Sequence, residues 1–110
     1  MKLSKKAAQL IWKETYGNKK LVKDFSGKFM YFDAYGDRNY SRNINGIKTY
    51  CGWNIDHILA KSKGGQTVKN NLACTNIETN QNKADKNTFW INDVRFQVKK
   101  KNGGYEYSPI

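Results

Sequence analysis

Paired cysteines, acids and long apolar runs are all scarce in this chain, and each shortage closes off a class of protein. Its 110 residues hold two cysteines, one proline, one histidine and nine acidic side chains. Cys51 and Cys74 form no C-x-x-C pair, so no structural zinc is expected, and a disulfide scaffold would be thin. Both are read as reduced, half-buried thiols of a cytoplasmic protein. No run approaches the roughly 20 apolar residues of a membrane helix. The stretch after Met1-Lys2-Leu3 is broken by Ser4, Lys5, Lys6, Gln9, Lys13 and Glu14, so neither a secretory leader nor a membrane partner is expected.

The shortage of acids says most about function. Lysine and arginine number 20 against 9 acids, a formal charge of +11 and a pI near 9.7. A balance this basic on so small a chain points to a polyanion, and nucleic acid before a lipid surface, because no long basic amphipathic helix is present. With 38% hydrophobic residues, residues 1–110 are read as a single small domain of the α+β class.

Ser4 is placed to cap a first helix, Ala7, Ala8, Leu10, Ile11 and Trp12 supply its apolar stripe, and Gly17 stops it. Residues 21–35 are β-like, with Ser26-Gly27 as a two-residue turn between strands at 22–25 and 28–32. Residues 36–46, through Asn45-Gly46, read as a polar loop. Trp53 to Leu59 alternates well enough for a half-buried strand, followed by a loop whose Gly64-Gly65 needs positive φ or close packing. Asn71 to Thr75 is a short extended segment, and Thr79 is placed to cap a short, mostly solvent-facing helix running from about Asn80 to Lys86. Thr88 to Val98 predicts a hairpin turning at Asn92-Asp93, ahead of a lysine run and a frayed end at Gly103-Gly104. Phe25, Phe29, Tyr31, Trp53, Phe89, Trp90 and Phe96 are assigned to the core in preference to stacking on unpaired bases.

Residues 53–86 read WNIDHILAKSKGGQTVKNNLACTNIETNQNKADK. Asp-His at a strand end, a Gly-Gly loop, Asn-Leu opening a second strand, and a helix offering asparagine then lysine follow in order. This segment resembles the HNH nuclease motif. Asn71 lies 71 − 57 = 14 positions after His57, and Asn80 lies 80 − 71 = 9 after Asn71, spacings associated with that family. The resemblance implies a ββα-metal core, which the N-terminal helix and β-hairpins read above would flank, and a DNA endonuclease that leaves a 5′-phosphate and a 3′-hydroxyl.

Each residue type suits that chemistry. An imidazole with a reference pKa of about 6.5 can deprotonate water near neutral pH, which makes His57 the general base. The resemblance makes Asp56 and Asn80 the metal ligands. One carboxylate and one amide are hard oxygen donors that favour a single Mg²⁺ or Mn²⁺. Adjacent strand residues face opposite ways, so Asp56 and His57 share a cleft only if the strand is distorted there. The resemblance gives Asn71 the task of tying down the loop and orienting His57. Lys83, Lys86, Lys61 and Lys63 are read as phosphate contacts on double-stranded DNA.

Two departures stand out: Ala60 replaces the proline that many relatives carry after Asp-His, and Asn76 and Thr79 stand near where zinc-binding cysteines would be. The competing readings are a nucleic-acid-binding module of the same fold without catalysis, and a basic assembly protein that only neutralises polyanions. A homodimer or larger complex would extend the footprint of so small a chain.

Overall fold

The computed structural model describes residues 3–110. Among the described residues, two α-helices and nine strands in antiparallel hairpins and small sheets make an α+β fold. The chain divides into two compact units, Met1–Ile55 with Cys74–Ile77, and Asp56–Ala73 with Glu78–Ile110. Among the described residues, no helix is long and apolar enough to cross a membrane.

In the first unit, α1 spans Lys5–Tyr16, with the Ser4 hydroxyl accepting from the Ala7 amide at 3.2 Å and Gly17 turning out at φ 64°. Its buried residues are Ala8 and Trp12. Trp12 is fully enclosed, packs on Trp53 at 4.8 Å and Phe32 at 5.7 Å between ring centres, and donates its indole N–H to the Lys19 carbonyl at 2.9 Å. Strands β1 (Leu21–Lys23) and β2 (Phe29–Tyr31) pair with Lys23 opposite Phe29. The connection is therefore five residues rather than the two expected at Ser26-Gly27. Asp24 accounts for the difference, because its Oδ1 accepts from the Ser26 and Lys28 amides at 2.9 and 3.1 Å and holds a wider turn. Phe25, Phe29 and Tyr31 end half-buried, not in the core.

Residues 41–50 correct the expected loop. They form a hairpin of β3 (Ser41–Ile44) and β4 (Ile47–Tyr50), turning at Asn45 and Gly46 with φ of 52° and 83°. Two consecutive left-handed residues are the turn that the twist of paired strands prefers. The cysteines are both free, and they are buried rather than half-buried; burial pushes the Cys74 thiol up to about 12.

Strands β5 (Trp53–His57) and β6 (Leu72–Asn76) form a two-stranded sheet, and α2 (Ile77–Lys83) follows. This helix begins three residues before the expected start. Thr79 lies inside it, fully buried, and is no cap. The helix ends where Ala84 turns left-handed at φ 51°, so Asp85 and Lys86 lie beyond it.

In the second unit, β7 (Thr88–Ile91), β8 (Val94–Lys101) and β9 (Gly104–Pro109) make an antiparallel sheet in that order. The first turn is at Asn92-Asp93, both left-handed, as the sequence predicts. The frayed end does not exist: Asn102 and Gly103 form a second turn of the same kind, and β9 pairs along β8 from Lys101↔Gly104 to Phe96↔Pro109. Phe89 and Phe96 are buried across the strands with ring centres 5.9 Å apart. Trp90 is not in the core, being 62% exposed.

Candidate active site

Regular alternation along β5 would send Asp56 and His57 to opposite faces, and the observed burial interrupts that alternation. Trp53, Ile55 and Asp56 are buried, while Asn54 and His57 are half-buried. The Asp56 side chain turns inward onto Lys83. Lys83 Nζ lies 3.3 Å from Asp56 Oδ2, and it also donates to the His57 carbonyl at 3.2 Å and the Ala84 carbonyl at 3.4 Å. The ammonium thereby ties α2 to both residues of the Asp-His pair.

This overturns the expectation for Lys83. Only 1% of it is exposed, so it does not project towards a phosphate. The physical reason is charge pairing: a buried carboxylate needs a counter-ion, and a helical lysine one turn after Asn80 is long enough to supply it. Lys61, Lys63 and Lys86 are all exposed. Lys61 and Lys63 lie on a single 3-10 turn at Lys61–Lys63 that Gly64, left-handed at φ 93°, terminates.

Tyr107 is the partner that sequence reasoning missed. Its hydroxyl donates a short hydrogen bond to Asp56 Oδ2, and its ring meets Phe89 edge-on at 6.2 Å. Both contacts to the carboxylate fall on Oδ2; among the described residues Oδ1 has no hydrogen-bond donor, nor is it a sealed, unsatisfied atom. Desolvation raises the Asp56 pKa above the usual carboxylate value, with Lys83 and Tyr107 opposing it.

His57 meets Thr67 across the loop, with Nε2 and Oγ1 2.7 Å apart. Desolvation lowers its pKa from 6.5; Asp56 pulls the other way, and Lys61 and Lys83 add to the lowering. Thr67 was not singled out in the sequence, where one threonine in a polar loop carries no signal.

The loop between His57 and β6 is held by Asn71, 2% exposed. Its side-chain oxygen accepts from the Leu59 amide at 2.8 Å, and its amide donates to the Leu59 and Gln66 carbonyls at 3.0 and 2.9 Å. A side chain at Gly65 would run into the Leu59 carbonyl, so the loop packs too closely there for anything larger than glycine. One buried amide therefore fixes both ends of the segment that carries Thr67 to His57.

Asn80 is half-buried on α2. It stands three residues before Lys83, on the same helical face and roughly 4.5 Å along the axis from the residue that touches Asp56. The donor chemistry here suits a hard divalent ion: a carboxylate oxygen not taken by protein donors, and an amide one turn from its neighbour. No group of three or more histidine, cysteine, aspartate or glutamate side chains occurs among the described residues, so any such ion would rely on water and substrate for most of its shell. Compared with protein-family models, curated proteins and solved structures, the chain matches none.

Proposed function

We propose that this protein is an HNH-type endonuclease that hydrolyses DNA phosphodiester bonds with His57 as general base and one Mg²⁺-type ion. The observation that carries the reading is the tethered Asp-His pair. Asp56 is gripped through Oδ2 by Lys83 and Tyr107, while His57 is half-exposed, has a lowered pKa and is braced by Thr67. Strand, strand and helix also follow in the order that the motif requires.

In this mechanism a ring with its proton on Nε2 donates to Thr67 Oγ1, which leaves Nδ1 as the acceptor for a water proton. The lowered pKa keeps the ring neutral at pH 7, the form a base needs. Asp56 Oδ1 and Asn80 would hold the ion, which supplies charge neutralisation at the phosphate and the leaving oxygen. Exposed Lys61 and Lys63, on the loop that His57 leads into, take phosphate contacts that place the strand.

Supercoiled plasmid with purified protein and Mg²⁺ is expected to convert to open-circular or linear DNA, and chelator is expected to stop it. Cleavage indifferent to chelator would remove the metal from the mechanism, and no cleavage with Mg²⁺ or Mn²⁺ would leave the binding-only reading. One observation favours that second reading: Lys83 already balances the Asp56 charge.

Thr67→Val removes the hydroxyl that braces His57 while keeping the side-chain shape. Turnover is expected to fall roughly 10- to 100-fold, as for other groups that orient a functional histidine. DNA affinity should be unchanged, and Thr67→Ser should restore most of the rate. Equal turnover in Thr67→Val and the parent protein would remove Thr67 from the site.

A further inference from the structure

Trp12 and Trp53 are fully buried, whereas Trp90 is 62% exposed. It stands on the outward face of β7, between Phe89 and Ile91, which both turn inward. Its cross-strand partner Arg95 is also exposed. Together with Asn82, Lys86, Thr88 and buried Phe89 they line a groove of about 440 Å³, within the size range of small-ligand sites. No acidic side chain lines it, and two cations, Lys86 and Arg95, share it with the indole.

We propose that this groove binds an unpaired nucleotide, its base stacked on Trp90 and its flanking phosphates against Lys86 and Arg95. A base in a duplex has both faces covered by its neighbours, so an exposed indole gains a stacking partner only from a strand whose bases are free. The cations provide charge complementarity to phosphate without reading sequence. Asn82 and Thr88 add polar groups at the rim. The groove begins at the end of α2: the Lys86 amide donates to the Lys83 carbonyl at 3.1 Å, and Lys83 is the residue that grips Asp56. The inference rests on nucleic acid being the partner, but not on cleavage.

A ten-residue oligothymidylate, titrated in chelator so that nothing is cut, is the probe. Its binding is expected to quench the emission of the accessible tryptophan. In anisotropy titrations with labelled oligonucleotide, Trp90→Ala should weaken binding about 5- to 150-fold, the range seen for removal of one stacking aromatic, and Trp90→Phe should recover most of it. Lys86→Gln with Arg95→Gln should lower the slope of log affinity against log salt by about 1.4. A duplex of the same length should bind Trp90→Ala and the parent protein alike. Equal affinity of parent and Trp90→Ala for the single strand would overturn the proposal. So would an equal loss for single strand and duplex, or Trp90 emission that changes with protein concentration alone, the mark of a second copy covering the ring. Single-strand binding that depends on Trp90, in a protein that fails to nick plasmid, would leave the groove standing and sink the nuclease reading.

Discussion

His57→Ala is expected to lower the cleavage rate by roughly 10²- to 10⁴-fold, the usual contribution of a positioned general base, while leaving DNA affinity within twofold of the parent protein. The two readouts separate because His57 is half-buried at the end of β5 and is braced by Thr67 rather than by a charged group that phosphate would need. The same residue sets a pH dependence whose sign is fixed. In the proposed mechanism the active form is the deprotonated ring, and desolvation holds the His57 pKa below 6.5. Cleavage should therefore rise with pH through a midpoint on the acidic side of 6.5 and stay level through neutrality. Single-turnover rates on a plasmid at saturating Mg²⁺ give this profile. A midpoint above 6.5, or a flat profile when chemistry limits the rate, would assign the proton transfer elsewhere.

The second large effect concerns stability. Lys83 and Asp56 are 1% and 7% exposed and carry opposite charges 3.3 Å apart. Removing one member of such a pair strands the other in a medium that solvates it poorly, at a cost of about 3–5 kcal/mol. Lys83→Met and Asp56→Asn are each expected to lose stability of that order in urea unfolding at pH 7. The double variant should lose less than the two single losses combined, because it leaves no orphaned charge. The pH dependence distinguishes the single variants. In Lys83→Met the remaining carboxyl, already raised by burial, has a folded pKa above its unfolded one. Its favourable contribution is complete below the unfolded value and is lost as pH rises through the folded value. The penalty in Lys83→Met should therefore shrink on acidification and grow towards neutrality. Single variants within about 0.5 kcal/mol of the parent protein, the range of ordinary surface changes, would show that the ion pair contributes little.

What could be read from the sequence divides by the range of the interaction. Ser4, Trp12 and Gly17 announce α1 because capping, burial and termination are local. Asn92-Asp93 announces its hairpin because it lies between two apolar, β-prone runs, Phe89-Trp90-Ile91 and Val94 to Val98. Asn45-Gly46 carries an equally strong turn signal, yet β3 and β4 are half-buried or exposed throughout and show no apolar alternation. Without that alternation the segment reads as a loop. The start of α2 is not legible because Thr79 is a good cap by type, and only tertiary burial shows it inside the helix. At the site, Asp56, His57, Asn71 and Asn80 stand out by spacing. Lys83 and Tyr107 do not: a lysine is solvated by default, and the Asp56 partner on β9 lies 51 residues away along the chain. The exposure of Trp90 is illegible for a related reason, since an aromatic in a strand is buried more often than not.

The hydrogen bond from Tyr107 to Asp56 also has a consequence in time. Ribosomes add about 5–20 residues per second, so the 51 residues between donor and acceptor correspond to roughly 3–10 s of synthesis. For most of that interval Asp56, His57 and the Gly-Gly loop already exist, whereas the tyrosine that clasps the carboxylate has not been made. A growing chain therefore carries Asp56 and His57 well before it carries the tyrosine that holds the Asp56 carboxylate. The clasp on Asp56 closes only with β9.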